Sequence, residues 1–149
     1  MFSSIDWANL GNDWRRDLMI FLDSSYFIEL MDEKNRNYRN ALKIGDYITD
    51  LNESTVINTT VLVETLNRTV GTQEVVKQLH DNLRAENIVI QLTDEDYLDS
   101  LKINGWLDNS INYSDCTIIK TMMTMGITKI VTFDNDFEKI NGFSVISKI

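Results

Sequence analysis

A chain of 149 residues, 43% of them hydrophobic and carrying a formal charge of −9, is long enough to bury one substantial core and too short for several. One cysteine, Cys116, excludes an internal disulfide, and with a single histidine, His80, it excludes a zinc site of Cys and His ligands; any metal would be held by carboxylates, which suits Mg2+ or Mn2+. No apolar run reaches about 18 residues, and Asp6 and Asp13 stand where a secretory signal needs a basic start and an apolar stretch, so a cytoplasmic protein with no membrane partner is expected.

Residues 1–17 show no period. Trp7 and Trp14 are placed to pack on a body, but the segment reads as an N-terminal extension to a domain spanning 18–149. The first clear element is Leu18-Met19-Ile20-Phe21-Leu22, ending in Asp23. A short continuous apolar run has no wet face, which marks a central strand covered on both sides. An acid at the carboxyl end of such a strand faces the crevice where open parallel sheets bind ligands. Asp23 is therefore a candidate functional residue, and equally a candidate cap for the next helix, Ser24 to Met31.

A longer helix is predicted over 35–50 with Tyr38, Leu42 and Ile48 inward. Arg36, Arg39 and Lys43 recur on it at spacings of three and four, so they share a face. That face reads as solvated, partnered by Asp32, Glu33 and Asp46, with a phosphate-contacting strip as the second reading. Thr55-Val56-Ile57 is a second strand, and Thr59 or Thr60 is expected to cap a helix that stops before Gly71. Within it, Glu64 is positioned to pair with Arg68 at i, i+4, yet Val61, Leu62, Val63 and Leu66 surround it, and a carboxylate among them needs a partner.

Thr72 to Ala85 is amphipathic, with Val75, Val76, Leu79 and Leu83 inward, and Ile88 to Leu92 follows as a third strand. Thr93 caps a helix carrying Tyr97, Leu98 and Leu101, whose first-turn acids Asp94, Glu95 and Asp96 complement its dipole. Ser114 is expected to cap a strongly apolar helix that ends at Gly126. Asp115, in its first turn, is aligned with Ile118, Ile119 and Met122 and so lies near the buried face. The strand Lys129 to Phe133 then ends at Asp134, with Asp136 two residues on, repeating the opening pattern of apolar strand followed by acid. Gly142 to Ile146 closes as an edge strand.

Strands alternating with helices predict an α/β fold, a doubly wound parallel sheet of about five strands with helices on both faces. If the fourth strand lies beside the first, Asp23 and Asp134 emerge together at the switch point, with Asp115 as a third corner. Acids this close cannot all stay ionised without a counter-ion, and a divalent cation resolves the conflict. Such a cation also answers the objection that a charge of −9 repels nucleic acid, because it supplies the positive charge a phosphate meets. The acidic surface favours a basic protein partner.

The run Met19-Ile20-Phe21-Leu22-Asp23-Ser24-Ser25, then Thr60-Val61-Leu62-Val63-Glu64, Tyr113-Ser114-Asp115 and Ile130-Val131-Thr132-Phe133-Asp134-Asn135-Asp136-Phe137 resembles the PIN-domain family, and within it the VapC-like toxins of prokaryotic toxin and antitoxin pairs. The resemblance implies a metal-dependent endoribonuclease with Asp23, Glu64, Asp115 and Asp134 as the catalytic acids. It implies Mg2+ or Mn2+ on Asp23, Asp115, Asp134 and Asp136, with Ser25 and Thr132 orienting the ligands. It further implies an RNA substrate, a small antitoxin partner and a homodimer. The alternative is a PIN-like module that binds RNA or protein without cutting. A haloacid-dehalogenase-like phosphatase lacks its second acid in Asp23-Ser24-Ser25, and a phosphoaspartate receiver lacks its acid pair at the first strand. No P-loop, dinucleotide-binding glycine turn or Ser/His/Asp set is present.

Overall fold

The computed structural model describes residues 18–149; the predicted extension 1–17, with Trp7 and Trp14, lies outside the described residues. Five strands, β1 (Met19–Leu22), β2 (Ser54–Asn58), β3 (Ile88–Ile90), β4 (Lys129–Val131) and β5 (Ser144–Ile146), form one sheet in the order β3-β2-β1-β4-β5. Every pairing is parallel. Six α-helices connect them: α1 (Ser24–Glu29), α2 (Tyr38–Leu51), α3 (Thr59–Arg68), α4 (Gln73–Glu86), α5 (Asp94–Trp106) and α6 (Tyr113–Met125). A 3-10 turn, Asn135–Lys139, precedes β5. Among the described residues no helix is long and apolar enough to cross a membrane.

Successive residues of a strand point to opposite faces. Ile20 and Phe21, Val56 and Ile57, and Ile130 and Val131 are each fully buried, so both faces of β1, β2 and β4 are covered. The chain winds from β1 outward to β3, returns over the sheet, and lays β4 on the other side of β1. This reversal opens a crevice at the carboxyl ends of β1 and β4, as predicted.

Several local expectations change. Helix α2 starts at Tyr38 rather than at residue 35, because Asn35 is spent on the chain before it, its Nδ2 donating to the carbonyls of Ile28 and Glu29. Its inward stripe is Ala41, Ile44 and Ile48, spaced three and four apart, while Leu42, one residue out of phase, is 45% exposed. Arg36 consequently lies in the turn before α2 and shares no helical face with Arg39 and Lys43. Among the described residues no ion pair joins these three to Asp32, Glu33 or Asp46. On α4 only Leu83 is buried, and Val75 is exposed.

The caps of α3 and α6 are asparagines, one residue before the predicted Thr59 and two before Ser114. Asn58 accepts from the Val61 N–H, and Asn112 accepts from the Asp115 N–H. The predicted threonines are used elsewhere: Thr59 Oγ1 accepts from Leu92 N–H, and Thr60 pairs with Thr117. Thr93 does cap α5, and Asp96 completes a reciprocal capping box with it. Gly126 ends α6 at φ 70°, a left-handed conformation that suits glycine.

Candidate active site

Asp23 leaves β1 at the N-cap position of α1, but its side chain makes no capping bond. Instead its Oδ2 accepts from Ser25 Oγ at 2.8 Å and from Thr132 Oγ1 at 2.8 Å. The backbone joins the same strands, Asp23 N–H donating to the Val131 carbonyl. Thr132 Oγ1 also accepts from the Asp134 N–H, and Ser25 Oγ from the Phe133 N–H. Two hydroxyls thus lock the ends of β1 and β4 together, and fix Asp23 and Asp134 relative to each other. Of the two readings of Asp23, the cap is set aside.

Glu64, on α3, does not pair with Arg68; its Oε2 accepts from Ser24 Oγ at 2.8 Å. That bond joins α3 to α1 beside Asp23. Asp115 is carried in by the first turn of α6, whose start is held by Asn112: Oδ1 of that residue accepts both the Asp115 N–H and Ser114 Oγ–H. One oxygen each of Asp115, Asp134 and Asp136 lies within 4.8 Å of the others. Asp136 reaches the cluster because its N–H donates to Asp134 Oδ1, and its own Oδ1 meets Lys139 Nζ at 2.9 Å.

The electrostatics follow from burial and crowding. Asp23 and Asp115 are both almost wholly buried. Burial pushes the Asp23 carboxyl up; the Thr132 and Ser25 hydroxyls pull it back, and the charge of Glu64 adds to the rise. Asp115 is pushed from 3.8 up to about 8, first by burial and then by the negative fields of Asp23, Asp134 and Glu64. Its Oδ2 is buried and has no hydrogen-bond partner. An orphaned, buried carboxylate oxygen facing other carboxylates lacks positive charge, and the donors present, all hard oxygens, fit a divalent cation such as Mg2+ or Mn2+.

Among the described residues the structure brings Asp115, Asp134 and Asp136 to within metal-binding distance of one another; Asp23, held by Ser25 and Thr132, and Glu64 stand outside that group but near enough for their charges to act on Asp115. Arg39 and Lys43 are exposed on α2, and Arg36 precedes it. Sequence reasoning missed Ser24, Asn112 and Lys139. Ser24 is adjacent to Asp23 and Lys139 lies three residues beyond Asp136, so both were within reach of a local reading; nothing in the sequence ties Ser24 to Glu64, 40 residues away. Cys116 is buried, and His80 lies on the surface of α4 between Asp81 and Arg84.

The PIN domain family model matches residues 20–142. Among solved structures, the chain resembles the Mycobacterium tuberculosis toxin VapC20, described as cleaving the sarcin-ricin loop, with a TM-score of 0.66 at 22% identity over 80% of this chain and 92% of that one. It also resembles a chain of Rickettsia felis VapBC2 bound to a promoter DNA fragment (TM-score 0.60, 15% identity, 85% and 96% covered). A chain of DNA-bound VapBC from Salmonella typhimurium is similar to the same degree (TM-score 0.60, 16% identity, 85% and 96% covered). No curated protein matches the sequence significantly.

Proposed function

Since this chain belongs to the PIN domain family, we propose that it is a metal-dependent endoribonuclease and the toxin of a toxin and antitoxin pair. The observation that carries the reading is the buried, unpartnered Asp115 Oδ2 within a cluster of carboxylates at the sheet's switch point. Asp23, Asp115, Asp134 and Asp136 would hold Mg2+ or Mn2+, with Glu64 completing the catalytic acids. A cation there lowers the pKa of a bound water and stabilises charge developing on a phosphodiester.

The chain's own residues prepare this. The Ser25 and Thr132 hydroxyls satisfy Oδ2 of Asp23 and orient its carboxylate. Glu64 is held by Ser24. With its carboxyl pushed up to about 8 when no cation is present, Asp115 would release a proton on binding one near neutral pH. Arg39 and Lys43, exposed on α2, would meet the RNA backbone. The partner is a small antitoxin presenting basic residues to the acidic pocket, the toxin is a homodimer, and it works in the cytoplasm.

The test is cleavage of a mixed RNA pool by the purified protein in Mg2+, in Mn2+ and with chelator, beside an Asp115→Asn control. Cleavage that needs metal and disappears in the control is expected. Absence of cleavage together with absence of metal binding by calorimetry would refute the nuclease and leave the non-cutting RNA- or protein-binding module.

A further inference from the structure

Two of the acids, Glu64 and Asp115, stand on different helices, so their spacing depends on how α3 and α6 are joined. Something must hold α3 and α6 together. Between them lies a polar network in which Asn58 is fully buried and Thr117 and Thr121 nearly so. Asn58 Nδ2 donates to Thr121 Oγ1 at 3.0 Å and to the Thr117 carbonyl at 3.3 Å, both on α6, while its Oδ1 accepts the Val61 N–H at 3.1 Å. One carboxamide therefore caps the helix carrying Glu64 and braces it against the helix carrying Asp115.

The proton directions are fixed by what each hydroxyl has already given away. Thr117 Oγ1 donates to the Ser114 carbonyl at 2.6 Å, so in its 2.7 Å contact with Thr60 Oγ1 it accepts and Thr60 donates. Thr121 Oγ1 donates to the Thr117 carbonyl at 3.1 Å and accepts from Asn58. Both chains of donors run from the α3 side to the carbonyls of the first two turns of α6, the part of the helix that places Asp115.

We propose that Asn58, with Thr60 as a second strut, is a positioning residue that fixes the first turns of α6, and with them the cation ligand Asp115, against α3, the helix that carries Glu64. The proposal rests on the metal site described above and adds to it the residues that preorganise it. Asparagine is required because the site needs one acceptor and two donors on a short planar side chain. Serine keeps the acceptor for Val61 and loses the brace; aspartate keeps the shape and turns an acceptor toward two acceptors.

The experiment is calorimetric titration of Mn2+ into the full chain, well below the unfolding temperature, for the wild type, Asn58→Ser and Thr60→Val, with thermal unfolding of each in chelator. If the brace positions the acids, Asn58→Ser weakens Mn2+ binding by about 10- to 100-fold, and Thr60→Val, a near-isosteric change expected to fold, weakens it by a smaller factor. A residue that served the fold alone would lower the unfolding temperature and leave the affinity of the folded protein unchanged; that result for Thr60→Val, or for a folded Asn58→Ser, overturns the proposal. Failure of the wild type itself to bind Mn2+ would overturn the metal site, and the positioning role with it.

Discussion

Replacing Asp115 by Asn should make the metal-free protein more stable at neutral pH. The folded protein keeps the Asp115 proton up to about pH 8, while the unfolded chain releases it near 3.8. Between those values the native state binds the extra proton, so stability falls as pH rises through the window and levels off above it. At roughly 1.36 kcal/mol per pH unit, the group alone costs about 4 kcal/mol by pH 7, or about 2 kcal/mol if the neighbouring acids share the titration. Asparagine does not titrate, and its amide donates to the acids that repel the carboxylate, so the cost is removed. For a chain of this size each kcal/mol moves Tm by about 2–4 °C, giving an expected rise of about 4–16 °C at pH 7 in chelator. Thermal unfolding followed by circular dichroism from about pH 5 to about pH 8.5 checks both the rise and the flatter slope. Millimolar Mn2+ should then stabilise the wild type and not the variant, because only the wild type gains a ligand of the native state. An Asp115→Asn protein that melts at or below the wild-type temperature at pH 7, with the wild-type pH slope intact, would refute the electrostatic account of the site.

Thr132→Val removes one of the hydroxyls that hold the Asp23 carboxyl down; the acid limb of the cleavage pH profile should move upward, and the protein should lose about 1.5–3 kcal/mol, the range for a hydrogen bond to a charged group. Lys120→Met leaves the buried Asp99 without its 3.1 Å ammonium partner, with only Lys102 at 4.0 Å. Chemical denaturation should show a loss of about 3 kcal/mol, largely recovered by adding Asp99→Asn. Lys139→Ala frees an oxygen of Asp136 from its exposed ion pair; stability should change by less than about 1 kcal/mol, while calorimetry should show tighter Mn2+ binding as the competing cation is removed.

The centre of this fold was legible because its strands carry no dry-and-wet alternation. Leu18 to Leu22 is a continuous apolar run and Ile130-Val131 the apolar centre of a second strand, each followed by an acid, a pattern that suits a doubly covered parallel strand, and the order of the sheet bore out their adjacency. Asp23, Asp115 and Asp134 stood out for the same reason, since each follows a strand or opens a buried helix, whereas Glu64, in the middle of α3, was assigned to the site only by the family resemblance. Caps were less legible. Asn112 and Ser114 are equally good caps on propensity and Asn58 is only modestly better than Thr59, and the neighbouring threonines are drawn to tertiary partners such as Leu92 and Thr117 that local sequence does not specify. The phase of α2 failed for a related reason: its start was placed three residues early, where Asn35 holds the preceding turn, and Leu42 was then turned inward in place of Ala41 and Ile44.

The hydroxyl lock on Asp23 joins residues 109 apart in sequence, and the Ser25 bond to Phe133 spans 108. Strand β1, at the middle of the sheet, has one neighbour that follows it soon in the chain and another, β4, that comes almost last. Contacts of such long range form slowly, because the whole intervening chain must be ordered before they close. Until β4 docks beside β1, Asp23 stands at the open edge of the half-sheet without Asp134 and the strand that brings it in. The acidic centre is thus assembled by a long-range closure: it comes into being only once β4 has docked beside β1.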